Sequence, residues 1–324
     1  MNTLTNSYHL DNLKWDSKLV NEYKGNLTEI SDLIPFFQRK PFKIGRLKNK
    51  NLDVVVNTSE GGIPIATVSK SYSLIQHFDI LKFIRMAFEN LRYNIEETKC
   101  DLYLTEYGER MLLRIQFLRR HIFDPGDGHQ LIPQLHVRNS VDGSDPLSFE
   151  LSWYRLICKN GLMCLDTESR LSKRHTKSLK PELFTEYLNK NTSKILSEKE
   201  TYAKWKQKEL NADTDIEILQ NWIDTIVSNS WGHNCAERVY SIIETGQDVK
   251  VTRFKNRTTD ENEDSYIIRV ALEGDVPGAK PAENIYDVAN ALSWVSSHQN
   301  SLQKQYKMML QVPRMLKELE NSLK

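Results

Sequence analysis

Nine basic residues, Arg110, Arg114, Arg119, Arg120, Arg138, Arg155, Lys159, Lys173 and Arg174, punctuate stretches that otherwise alternate apolar and polar side chains. Arginine forks and lysines neutralise phosphates, and Tyr103, Tyr107, Trp153 or Tyr154 between them would stack unpaired bases at about 1–3 kcal/mol each. Arg110 and Arg114 are an even number of residues apart, so on a strand they share a face and would line one groove. Such a surface binds without making or breaking a bond. The alternative for any single arginine is an edge charge that keeps a strand from pairing with another chain.

Other residue sets that could do chemistry lack a diagnostic spacing. His129 and His136 stand near Asp124 and Asp127, the side-chain types that hold metals, but turn-rich loops collect such residues anyway, and no metal site is assigned. Tyr154, Arg155, Lys159 and His175 would surround an anion, and Asp101, Glu106 and Glu109 are the acids a metal-dependent nuclease would need. There is no GxxxxGK[ST] loop, HExxH, EF-hand loop or nucleophile elbow, and Gly126-Asp127-Gly128 is too short for a dinucleotide loop. The expectation is a non-enzymatic protein with no cofactor.

The elements that must position these residues follow from periodicity. Phe149, Leu151 and Trp153 alternate with Glu150, Ser152 and Tyr154, the period of two of a strand with one buried face. Arg155 falls where that buried face should continue, so it either marks the sheet edge or needs a partner. Asn139 to Pro146 is dense in turn formers and reverses the chain, so Gln134 to Arg138 and Phe149 to Tyr154 are neighbouring strands. Asp101 to Tyr107 and Met111 to Arg119 form another hairpin around Gly108-Glu109, and LDVVV and IPIATVS a third around Thr58 to Gly62. Leu74, Phe78, Leu81, Ile84, Phe88 and Leu91 recur at three and four residues, an amphipathic helix that lies on the sheet.

The reading is therefore α+β: an antiparallel β-sheet with a packed amphipathic helix, followed by a mostly helical C-terminal region. Residues 1–50 form an N-terminal segment with one short helix near Leu27 to Phe37 and a basic stretch, RKPFKIGRLKNK. Residues 51–180 form the sheet core. Residues 181–324 are mostly helical, with a β-hairpin at 249–272 as one option and a loop between helix ends as the other.

Among 324 residues, 44 Lys and Arg nearly balance 43 Asp and Glu, yet the charge is unevenly spread. Between Trp153 and Lys208 there are 13 basic against 6 acidic residues; between Glu209 and Asp287 there are 7 against 16. A basic surface attracts phosphate backbones, and an acidic segment can shield it or engage another protein. Two ordinary solvated faces of opposite sign are the plainer alternative. Cys100, Cys158, Cys164 and Cys235 lack metal-site spacing and read as buried thiols. No apolar run approaches the roughly 18 residues needed to cross a bilayer, and MNTLTNSYHL lacks a signal-peptide pattern, so a cytoplasmic protein with no membrane partner is expected.

Several fragments together resemble a known family. Val68-Ser-Lys-Ser-Tyr-Ser-Leu-Ile-Gln76, Asn139-Ser-Val-Asp-Gly-Ser144, Tyr154-Arg-Leu-Ile-Cys-Lys-Asn-Gly161, Lys173-Arg-His-Thr176 and Asn290-Ala-Leu-Ser293 occur in the order found in domain of unknown function 932, a phage- and plasmid-encoded family. The resemblance implies a mobile-element origin more firmly than any chemistry. With the arginines, it leads to the expectation of a nucleic-acid-binding protein that acts on single-stranded DNA in replication or recombination, with a homo-oligomer as one option. The alternatives are a factor that binds a host or rival protein through the acidic 209–287 segment, and a metal-dependent nuclease.

Overall fold

A computed structural model describes residues 13–117, 121–157, 161–163, 170–175, 182–211, 215–255 and 266–324. The described residues open with β1 (Lys14–Trp15), β2 (Lys18–Gly25) and a single helical turn, α1 (Leu27–Ser31), which Asn26 and Glu29 close as a capping box. Three strands follow, β3 (Phe37–Ile44), β4 (Leu47–Asn57) and β5 (Ile63–Ser69), then helix α2 (His77–Asn90). The short helix thus stops at Ser31, and the basic stretch after it is strand: β3 and β4 pair from Phe37↔Asn57 out to Ile44↔Leu47. Position 50, where the N-terminal segment was expected to end, lies inside β4.

Next come β6 (Lys99–Thr105), β7 (Arg110–Gln116), β8 (Leu131–Ser140), β9 (Leu147–Arg155), β10 (Gly161–Met163) and β11 (Arg170–Lys173). Helices α3 (Glu182–Gln207), α4 (Ile216–Trp222), α5 (Ser228–Trp231) and α6 (His233–Thr245) lead to the hairpin β12 (Gln247–Lys255) and β13 (Tyr266–Asp275), so the hairpin option holds. Helices α7 (Ile285–Ser297), α8 (Leu302–Met309) and α9 (Val312–Ser322) end the chain. None of the described helices is long and apolar enough to cross a membrane.

Among the described residues the main sheet has eight strands in the order β1-β2-β6-β7-β8-β9-β10, with β11 also paired to β9, and every pairing is antiparallel. Its register sorts the side chains. Leu102, Leu113, Val137 and Phe149 face one another across four strands, as do Cys100, Ile115, Leu135 and Leu151. This face meets Ile80, Ile84 and Phe88 of α2, Phe184 and Tyr202 of α3 and Val288 and Leu292 of α7, all buried in one core. The sheet and the helical C-terminal region therefore share an apolar interior, an α+β architecture held by area removed from water.

The opposite face is polar and is covered over its middle strands. The same register lines up Lys24, Asp101, Arg114, His136, Glu150 and Arg170 across six strands. Helix α8 lies over this row: Tyr306 donates to Glu150, and Gln305 accepts from Arg114 at 3.0 Å. Trp15 of β1 packs beside it with Tyr103, Leu112 and Leu302, so elements from both ends of the described chain close the same face. The small sheet β3-β4-β5 has its own apolar cluster, Phe37, Val55, Val68 and Val141, which ties it to the turn after β8.

Candidate functional site

The main-sheet arginines are built into the protein. Arg110 and Arg114 do share a face, opposite Ser140 and His136 of β8. Arg110 donates to Asp16 at 2.6 Å and Asp142 at 2.9 Å, while Arg114 reaches Gln305 and sits 5.2 Å from the Tyr103 ring centre. Arg138 is buried between the rings of Trp15 and Tyr306, 4.9 and 4.1 Å from their centres, with Asp145 at 3.4 Å. Arg155 lies on the other face, where its pairing with Asp127 at 2.6 Å answers the question its core-facing register raised. Of the predicted set, Lys173 and Arg174 are exposed; Arg119, Arg120 and Lys159 lie outside the described residues.

These residues do not come together as one open groove. A guanidinium taken under a helix must be neutralised or hydrogen-bonded, and each of these four is. Of the four rings named as stacking platforms, Tyr103 and Trp153 are buried at 6% and 0% exposure, Tyr154 is half-buried and Tyr107, in the turn between β6 and β7, is exposed. The carboxylates and histidines near residue 130 also diverge. Asp124 accepts from the backbone of Gly126, Asp127 and Gly128, while His136 contacts Gln134 within the polar row. Among the described residues no three His, Cys, Asp or Glu side chains are placed to hold a metal.

Desolvation sets the electrostatics of the covered face. Burial pushes the Glu150 carboxyl up to about 7 against the pull of Tyr306, Arg170 and Arg138. Burial, then Arg114 and Arg138, holds His136 neutral. The polar groups in this row stabilise one another and fix the position of α8.

Motif fragments far apart in the chain meet at one end of the sheet. Tyr72 donates to the Ser140 carbonyl at 3.0 Å and stacks on His175, its hydroxyl 3.0 Å from Nδ1. Asn139 contacts His77, which in turn contacts the Gly108 carbonyl at 2.9 Å. Burial is the largest cause that brings His77 and His175 down to about 4, so both are neutral struts. The conformation at Gly143 has φ +79°, and a Cβ there would lie 3.6 Å from the Tyr72 ring. The junction fastens the small sheet to the large one.

A second feature lies between α6, the β12-β13 hairpin and the α7–α8 link. It is a polar cleft of about 500 Å³ whose walls include Arg238, Asp248, Trp294 and His298. Asp248 accepts from Arg238 Nε and Nη2, at 2.8 and 2.6 Å, and from the Trp294 indole at 2.7 Å, so its charge is spent on the fold.

What the strand junction holds in place is different in kind. Beyond Arg39 and Lys70, both paired with Asp53, the β3-β4 hairpin carries Lys40, Lys43, Arg46, Lys48 and Lys50, all exposed. No acidic residue occurs between Asp32 and Asp53. Among the described residues none of those five side chains forms an ion pair. Register places Lys43 opposite Lys48; behind this rung the pairing is irregular, and Asn49 accepts from the backbone of Asn51 and Leu52 around Lys50. Gly45, at φ +57°, makes the tight two-residue turn with Arg46, and Ile44 and Leu47 flank it at 78% and 81% exposure. The arrangement is a two-stranded basic ribbon with an apolar tip. In the sequence the charge of RKPFKIGRLKNK stands out without a strand assignment; the Ile-Gly-Arg-Leu turn inside it is the signal that could have found the ribbon.

Residues 64–263, more than half of the chain, match the family model described as Domain of unknown function (DUF932). No curated protein and no solved structure matches the chain. The Tyr72, Asn139–Ser140 and His175 junction lies inside the matched span, whereas the Asn290–Ser293 fragment and the β3-β4 ribbon lie outside it. The chain belongs to the family Domain of unknown function (DUF932).

Proposed function

We propose that this protein binds nucleic acid without chemical conversion and that the β3-β4 ribbon makes the contact. The observation that carries this reading is the set of five exposed cations on one hairpin with no carboxylate among the described residues to neutralise them. Unpaired cations on a projecting hairpin release counterions when phosphates replace water and salt. The mobile-element setting implied by the family resemblance makes replication or recombination the process served. Arg110, Arg114, Arg138 and Arg155, taken up in ion pairs and hydrogen bonds, support the fold of the main sheet. Tyr103 and Trp153 are buried, which weakens single-strand stacking on the sheet face, and backbone contact is what the exposed chemistry of the ribbon supports.

The test is fluorescence anisotropy with single- and double-stranded DNA and RNA across a salt series. Binding is expected to weaken steeply with salt, with a log–log slope of about −2.7 to −4.5 if three to five phosphates are engaged. Lys43→Glu, Arg46→Glu and Lys48→Glu together should weaken binding by about 100-fold or more. Unaltered binding by a folded triple variant, or no binding at low salt, overturns the proposal.

One observation favours a second reading, a protein partner on the acidic half of the chain. Ile268, Val270 and Leu272 are exposed on β13 and, two residues apart, share one face of the β12-β13 hairpin. A stoichiometric partner captured from lysate after nuclease treatment, and lost on Val270→Glu, would favour it.

A further inference from the structure

We infer that the ribbon tip is a wedge: its partner is double-stranded DNA, and Ile44 and Leu47 enter between neighbouring base pairs and bend the duplex. This rests on the nucleic-acid reading above and specifies the substrate. The residues at the tip carry the argument. Ile44 and Leu47 are a directly opposed pair at the last rung of the hairpin, and both side chains are almost wholly in solvent. Lysine and proline on an outlying strand can be explained as protection against edge-to-edge pairing. That explanation would place charge at the tip, where two large aliphatic side chains stand instead.

The surroundings choose the occupant. Strand alternation puts Lys43 and Lys48 on one side of the ribbon and Ile44 and Leu47 on the other, with Arg46 at the turn between them and Lys50 in the irregular stretch behind. Lys43 faces Lys48 directly, a like-charge pair that a phosphate between them would relieve. From Lys40 to the tip the ribbon extends about 17 Å at roughly 3.4 Å per residue, enough to reach into a groove. Phe42, the one aromatic residue among positions 39–50, is half-buried, so the tip offers no platform on which unpaired bases would stack. Aliphatic side chains flanked by cations instead suit a stacked duplex, whose base steps such residues prise apart while phosphates hold the flanks.

The test uses the full chain and a duplex of about 30 base pairs. End labels report bending by energy transfer, and a central 2-aminopurine reports unstacking. The wild-type protein should bring the ends together, raise 2-aminopurine fluorescence, and bind a centrally nicked or mismatched duplex about tenfold more tightly than the intact one, because part of the stacking is already broken. Ile44→Ser with Leu47→Ser should abolish both signals while leaving affinity for intact duplex within about threefold, since the lysines remain. The melting temperature of this double variant should not change, because both side chains are exposed.

Salt-dependent duplex binding with neither signal would overturn the wedge and leave the nucleic-acid reading in place. Preferential binding of single strands would do the same. Absence of all nucleic-acid binding, with binding to phosphatidylglycerol vesicles that the same double variant loses, would overturn both and make the ribbon a membrane contact.

Discussion

The polar face of the main sheet and the β3-β4 ribbon are both rich in Arg and Lys, and they dispose of that charge in opposite ways. On the sheet, Arg110 and Arg138 stand beside aspartates, Arg114 is hydrogen-bonded to a helix, and the row from Lys24 to Arg170 includes Asp101 and Glu150. On the ribbon, five cations project, and among the described residues no acid meets them. A covered charge must be neutralised internally because burying an unpaired ion costs several kcal/mol. A solvated charge carries no such requirement and is left available for a partner. The difference teaches that exposure and pairing, more than the number of basic residues, locate an electrostatic binding surface.

The largest expected effect would break the comparison at Arg155. Replacing Arg155 with Met leaves Asp127 buried without its cation and should cost about 3–5 kcal/mol in urea denaturation. DNA affinity of the folded fraction should be unchanged. A loss below about 1 kcal/mol would show that the sheet arginines do not hold the fold together.

A smaller effect sharpens it through pH. The folded pKa of Glu150, raised to about 7, exceeds its ordinary carboxylate value, so the folded state holds this proton more tightly than the unfolded state. Its contribution to stability is therefore full at low pH and declines as pH rises through about 4.5 to 7. Glu150→Gln should raise the melting temperature relative to wild type by about 2 °C or more at pH 8 and have little effect at about pH 4.5. His77, His175 and His298, all held near 4, act in the opposite direction. They remove stability as pH falls from 6.5 towards 4, because the unfolded chain takes up protons that the folded one refuses. Wild-type protein should thus lose stability on acidification in this range, and Glu150→Gln should lose more.

The smallest effect tests whether the ribbon cations act singly. Lys40→Ala should leave the melting temperature unchanged and reduce the salt slope of DNA binding by about one contact's worth, roughly 0.9. A slope that does not move would place Lys40 outside the contact.

Much of the architecture was legible because alternation and turn chemistry are local. Leu151 and Trp153, the Asn139–Pro146 turn and the helical spacing of Leu81, Ile84 and Phe88 announced strands and a helix that the structure contains, though the helix runs only from His77 to Asn90, Leu74 precedes it and packs with the small sheet, and Phe78 is exposed. Arg155 announced a need for a partner without naming it. The first β-ribbon was missed because RKPFKIGRLKNK has little apolar alternation; it is held by Phe37 and Val55 at its base, next to residues much later in the chain. The covered polar row was also illegible, since Asp101, Arg114, His136, Glu150 and Arg170 become neighbours only through four strand registers.

The sequence by itself determined the α+β class, the family and which residues are charged, because these depend on composition, short-range periodicity and ordered motif fragments. Only the tertiary structure decided which charges are spent inside the protein and which are left for a partner. The physical reason is that neutralisation is a contact property. Asp127 reaches Arg155, and Gln305 reaches Arg114, across distances in sequence that no local pattern records, whereas Lys40, Lys43, Arg46, Lys48 and Lys50 are left unpaired because the ribbon's one carboxylate, Asp53, is taken by Arg39 and Lys70 and no other carboxylate of the described residues pairs with them.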